Sequence, residues 1–203
     1  MPPVTHEFRT LASEFRYEID RIKGSRFLAS VGPATTEAEA EAFVQGVRDE
    51  FPGASHHCWA FRLGHEQALT RSDDDGEPSG SAGRPIAAQI EGHELTNVVA
   101  VVTRWFGGTK LGVGGLIRAY GGACGQTLDR APIETVVVTR RVTIVHPYEC
   151  SGAIEGILSH HGLVAKDAAY GADVRFTLDV PERDFEAFTT ELTERTAGRA
   201  RLS

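Results

Sequence analysis

Residues 97–130 read NVVAVVTRWFGGTKLGVGGLIRAYGGACGQTLDR, and they divide into three kinds of local structure. Asn97 to Trp105 is a nearly continuous apolar, β-branched run, the composition of a strand buried on both faces. Phe106 to Gly115 is a loop carrying five glycines. The spacing then predicts a helix from about Leu116 to Arg130, stopping before Pro132. Such a loop opens directly onto a helix N-terminus, where unpaired amides and the helix dipole favour anions. Arg104, Lys110 and Arg118 add positive charge, and no Asp or Glu occurs from Val99 to Gly125. The known nucleotide loops do not fit. Val113 follows Gly112 where a Walker loop needs Lys and a hydroxyl residue. Ile117 stands where the dinucleotide fingerprint needs its last glycine. The alternative is that the glycines serve only tight packing of strand, turn and helix.

Upstream lies the second informative stretch, DDDGEPSGSAGRPI from Asp73 to Ile86. It sits in a long polar loop, Thr70 to Arg84, and long loops in compact domains are more often functional than filler. Its carboxylates are of the type that binds hard cations, but the alternating calcium-loop spacing is absent. A solvated acidic turn stiffened by Pro78 is the plainer reading. A third reading pairs this acidic loop with the basic glycine loop across a cleft. A short helix is expected near Pro85.

The remaining pattern is α+β. Phe15, Tyr17 and Ile19 alternate with polar residues, as in a half-buried strand, and a second strand is expected at Arg26 to Val31. Thr35 or Thr36 can cap a helix whose apolar stripe is Ala40, Phe43, Val44, Val47 and Phe51, ended by Pro52-Gly53. In the strand Ser55 to Leu63, His56 and Cys58 share one face, and His57, Trp59 and Phe61 the other. Structural roles are expected for His56, His57 and Cys58. After Ile133 come a strand at Val136 to Val145, a helix to His161, strands near 163–170 and 173–180, a helix at Glu182 to Thr196 and a terminal strand. That order, β-α-β-β-α-β, is ferredoxin-like. Two domains are therefore expected, 1–132 and 133–203. The second has no catalytic constellation and no aromatic RNA-stacking signature. Its His160-His161 pair reads as a partner of a helix C-terminal dipole.

Composition excludes several classes of function. The 203-residue chain is 41 % apolar and 24 % charged, which suits packed cores. Its net charge of -7 argues against coating DNA and against attraction to an acidic membrane. Three scattered cysteines, Cys58, Cys124 and Cys150, suggest neither disulfides nor structural zinc, and so a reducing compartment. The N-terminus is not patterned as a secretory signal, and no run is long enough to span a bilayer. A cytoplasmic protein is expected.

SDDDGEPSGSAGRPI (72–86) together with VVTRWFGGTKLGVGGLIRAYGGA (101–123) resembles the signature of the IMPACT family, in its bacterial branch. EIDRIKGSRFLA (18–29) and HHCWAFRLG (56–64) resemble further blocks of that family. One departure is Ser81, where the family usually has Thr; the hydroxyl is retained. The resemblance implies a first domain like the second domain of ribosomal protein S five, a fold also found in domain four of elongation factor G. It implies a ferredoxin-like second domain like the fifth domain of that factor. Eukaryotic relatives regulate translation by competing for the activator of the general-control kinase. For this chain, the expectation is a non-enzymatic, translation-associated regulator that binds RNA, the ribosome or a translation factor. No catalytic residue, metal or cofactor is expected. The expected binding surface comprises Asp74, Asp75, Gly76, Glu77, Ser79 and Arg84 from the acidic loop. From the glycine loop and the start of the next helix it takes Arg104, Phe106, Gly107, Gly108, Lys110, Gly112, Gly114, Gly115 and Arg118. The alternatives are an enzyme acting on a small phosphorylated substrate, with Asp74, Asp75 or Glu77 as base or metal ligand, and a pure protein-interaction module.

Overall fold

A computed structural model describes residues 6–65 and 67–202, and the chain divides into two units between Val136 and Val137. In the first unit, strands β1 (Glu7–Leu11), β2 (Phe15–Ile22), β3 (Ser25–Pro33), β4 (His56–Leu63), β5 (Leu69–Asp73) and β6 (Val98–Trp105) are joined by three helices. These are α1 (Glu37–Glu50), α2 (Gly83–Gly92) and α3 (Val113–Leu128). The main sheet has the order β2-β3-β6-β4-β5, with every neighbouring pair antiparallel.

β6 lies at the centre of this sheet, and its β-branched residues are buried on both faces, as its composition predicts. Val98, Ala100 and Val102 join the core beneath α2 and α3. Val99 and Val101 face the other way, toward α1, together with Phe61 and the partly buried Trp59. The first turn of α1 is closed reciprocally. Thr36 Oγ1 accepts the Glu39 amide at 3.2 Å, while Glu39 Oε2 accepts the Thr35 amide at 2.7 Å. Such caps are typically worth about 1 kcal/mol.

Two short strands carry no apolar alternation and were not expected from the pattern. β5 is polar and exposed at the sheet edge, where only its backbone is needed for pairing with β4. β1 pairs instead with β7 (Ile133–Val137). The strand expected over 136–145 is thus two strands, β7 and β8 (Thr139–His146). Because β7 pairs with β1, the first unit runs past the expected boundary at 132.

The second unit contains β8, α4 (Ser151–His161), β9 (Lys166–Tyr170), β10 (Val174–Pro181), α5 (Phe185–Thr196) and β11 (Arg201–Leu202). The sheet order β11-β8-β10-β9 is that of a ferredoxin-like fold. Its core, including Ile144, Ile157, Leu178, Phe188 and Leu192, is its own. Among the described residues, no helix is long and apolar enough to cross a membrane.

Candidate functional site

The acidic loop and the glycine loop face each other across one cleft in the first unit. Its cavity of about 370 Å³ is lined by His56, Glu77, Pro78, Arg104, Phe106, Lys110, Leu111, Gly112, Val113 and Leu116. The strand β6 delivers Arg104, the loop after it delivers Phe106 to Gly112, and the first turn of α3 delivers Val113 and Leu116. The opposite wall comes from the loop between β5 and α2.

The inner wall is a polar network in which Arg104 Nε alone stays buried and without a partner among the described residues of the network. Glu77 Oε1 accepts Arg104 Nη1 at 2.5 Å and the Tyr120 hydroxyl at 2.7 Å, and both charged side chains are 5 % exposed. Arg104 Nη2 also donates to Ser25 Oγ at 3.3 Å. Arg104, expected in the binding surface, lines the cleft with its charge matched by Glu77 inside the protein. His56 Nδ1 lies 2.8 Å from the Asp75 carbonyl. A carbonyl can only accept, so Nδ1 carries hydrogen there. The other ring nitrogen, Nε2, faces Glu77 Oε1 at 3.8 Å within the cleft. Burial pushes the Tyr120 hydroxyl and the Cys58 thiol far above their ordinary pKa values, so both remain proton donors. Cys58 Sγ donates to the Asp74 carbonyl at 3.0 Å.

The aspartates build the loop itself. Asp74 accepts the amides of Gly80, Ala82 and Gly83 at 2.7–2.9 Å and so closes the N-terminus of α2. Asp75 accepts Arg48 Nη2 at 2.9 Å and the His57 amide at 2.6 Å. Asp75 and Gly76 both take positive φ, which turns the chain back toward His56. Both aspartates thus hold the loop together through their side chains. Ser79 and Arg84 are exposed and lie outside the cavity lining.

The glycine loop divides by position. The Phe106 amide is taken by Ser55 Oγ at 3.0 Å and the Gly107 amide by Ser25 Oγ at 3.1 Å. A Cβ on Gly107 would fall 1.9 Å from the Gly24 carbonyl carbon. Gly107 is therefore a packing glycine, and its amide is already committed. Gly108 and Gly112 adopt positive φ with open space around them. Helix α3 starts at Val113, earlier than the expected Leu116, so Gly114 and Gly115 belong to its first turn. That turn has no side-chain cap, and first-turn amides have no partner within the helix.

The outer lip is different in character. Phe106 is 49 % exposed, Val113 54 % and Ile117 42 %. Lys110 and Arg118 are exposed and, among the described residues, make no ion pair. The Arg118 guanidinium reaches back to within 3.9 Å of a Cβ position on Gly114. Sequence reasoning did not single out His56, Tyr120, Leu111, Val113 and Leu116 for the site. Tyr120 stands one turn after Leu116, a spacing that puts both on one helix face.

This arrangement defines a class: an α+β protein in which an acidic loop and a glycine loop share a cleft, followed by a ferredoxin-like unit. The Impact N-terminal domain matches residues 23–128, and a domain of unknown function, DUF1949, matches residues 147–199. The chain is 35 % identical over 195 residues to IMPACT family member YvyE of Bacillus subtilis, covering 96 % of this chain and 89 % of that one. It is 34 % identical to IMPACT family member YigZ of Escherichia coli, over 91 % of each chain. A solved structure titled "Crystal structure of an hypothetical protein" superposes with a TM-score of 0.70 at 30 % identity, covering 98 % of this chain and 97 % of that one. The chain belongs to the IMPACT family.

Proposed function

We propose that this protein is a non-enzymatic, translation-associated regulator of the cytoplasm, and that the outer lip of the cleft binds RNA, free or on a ribosome. One observation carries this reading. The uncapped start of α3, Lys110 and the half-exposed Phe106 ring line one side of the cleft, and the exposed Arg118 follows one turn into α3; among the described residues neither cation makes an ion pair. First-turn amides and a Lys or Arg accept a phosphate without reading sequence. Phe106 offers a stacking face to an unpaired base, an interaction worth about 1–3 kcal/mol. The inner network is neutralised and holds Phe106 in place, with the Arg104 guanidinium carbon 5.5 Å from the ring centroid.

The test is a fluorescence titration of the full chain with a single-stranded RNA oligonucleotide at several salt concentrations. The variant Lys110→Ala/Arg118→Ala should bind more weakly, and its log–log salt slope should be shallower by about 1.4, roughly 0.7 per lost phosphate contact. An unchanged slope and affinity would sink the reading.

A second reading, a small phosphorylated ligand, draws on the cavity, whose size is near the lower end for small-molecule sites. Of the carboxylates named for its base, Asp74 and Asp75 are bonded within the loop, while Glu77 lines the cavity with Arg104 and Tyr120 on its Oε1. A thermal-shift screen with nucleotides and sugar phosphates separates the two, since only a ligand of the folded state raises stability.

A further inference from the structure

Far from the cleft in sequence, three polar side chains of the second unit converge between its two helices, α4 and α5. His160 and His161 end α4, and Glu191 lies in α5. His160 Nδ1 is 2.8 Å and His161 Nε2 is 2.9 Å from the same carboxylate oxygen, Glu191 Oε2. The three ligand atoms all lie within 4.8 Å of one another, the one such group of metal-ligating side chains among the described residues.

We propose that His160 Nδ1, His161 Nε2 and Glu191 Oε2 form a binding site for a divalent transition-metal ion, zinc foremost. Two imidazoles and a carboxylate are a borderline donor set, which favours zinc, nickel or copper over magnesium or calcium. Ligand atoms around a tetrahedral zinc at about 2.0–2.1 Å are separated by roughly 3.3 Å. The two nitrogen–carboxylate separations, 2.8 and 2.9 Å, need to open by about half an ångström, and the two ring nitrogens, within 4.8 Å of each other, need to settle at the same spacing. Each imidazole now directs an N–H at the carboxylate. On binding, that nitrogen turns its lone pair to the metal, and its proton moves to the other ring nitrogen or to solvent.

Supporting groups are in place around two of the three ligands. Glu191 Oε1 is held from behind by Arg195 Nη1 at 2.9 Å. Arg195 reaches that position because Gly156 in α4 has no side chain; a Cβ there would lie 2.7 Å from Arg195 Nη2. The His161 ring is set edge-on against the buried Phe188, with centroids 5.6 Å apart. Such backing of a ligand is what orients it for a metal. The histidines occupy the C-terminal turn of α4, where the helix dipole favours a cation. His160 is 69 % exposed, which leaves a path for the ion and an open fourth position, while His161 is 13 % exposed. The ion would tie α4 to α5.

The test uses the full chain and zinc competed against a chromogenic chelator, with cobalt as a spectroscopic substitute. The expected result is one zinc per chain, a cobalt spectrum without a thiolate charge-transfer band, and affinity lowered at least about tenfold in both His160→Ala and Glu191→Gln. His160 is exposed, so its variant folds even if Glu191→Gln does not. Unchanged affinity in His160→Ala, or a thiolate band reporting Cys58, Cys124 or Cys150, overturns the proposal.

Discussion

Glu77 and Arg104 are the residues whose meaning depends most on their partner. Removing one member of a buried pair leaves the other charge uncompensated, at a cost of about 3–5 kcal/mol. Glu77→Gln should therefore lower the urea midpoint by a corresponding amount, while Glu77→Leu combined with Arg104→Met should recover much of the loss. Additive effects of the two sites would contradict this coupling. The pair also marks what the sequence hides. Arg104 reads as a free cation because no acid lies within twenty residues of it after Glu94, and the glutamate that neutralises it is 27 positions away. Only the antiparallel neighbourhood of β4 and β6 brings the acidic loop to it. Gly107 is the opposite case. Its glycine was legible, but its reason, backbone contact with Gly24, lies in a distant hairpin.

Among elements, α2 has the most unusual start. Its N-cap residue, Ala82, supplies no side chain, and the cap is Asp74 from the preceding loop. Burial raises the Asp74 pKa, but the amides of Gly80, Gly83 and Ala82, aided by Arg84, outweigh it and hold the carboxyl below its ordinary range. A depressed folded pKa means the unfolded chain binds the proton first. The stabilisation is present above about pH 4, the unfolded value, and is lost as pH falls through the folded one. Urea midpoints of the wild type should fall more steeply below about pH 4 than those of Asp74→Asn, and parallel curves would remove Asp74 from the cap. The central elements were legible because their periodicity answers to burial: β6 as a two-sided strand, α1 from its stripe and cap. β5 and β1 were not, because an edge strand is defined by backbone pairing that leaves no mark in polar side chains. The early start of α3 was hidden for a related reason, since Gly114 and Gly115 have low helix propensity yet fit an uncapped first turn.

At the scale of the molecule, each unit has a hydrophobic core of its own. The β-α-β-β-α-β order gave the second unit away directly, whereas the cleft of the first required two loops to be folded together. The cysteines add a consequence. Cys58 and Cys124 are sealed in the first unit and Cys150 in the second, with exposures of 0 %, 0 % and 2 %. Burial drives the Cys124 thiol up to about 12 and Cys58 further, so native protein offers a labelling reagent almost no thiolate there. The three thiols are thus built-in timers. Mass spectrometry of timed alkylation in mild denaturant should show Cys58 and Cys124 modified at a common rate and Cys150 on its own clock, so that an unmodified chain records separately how often each half of the molecule comes apart.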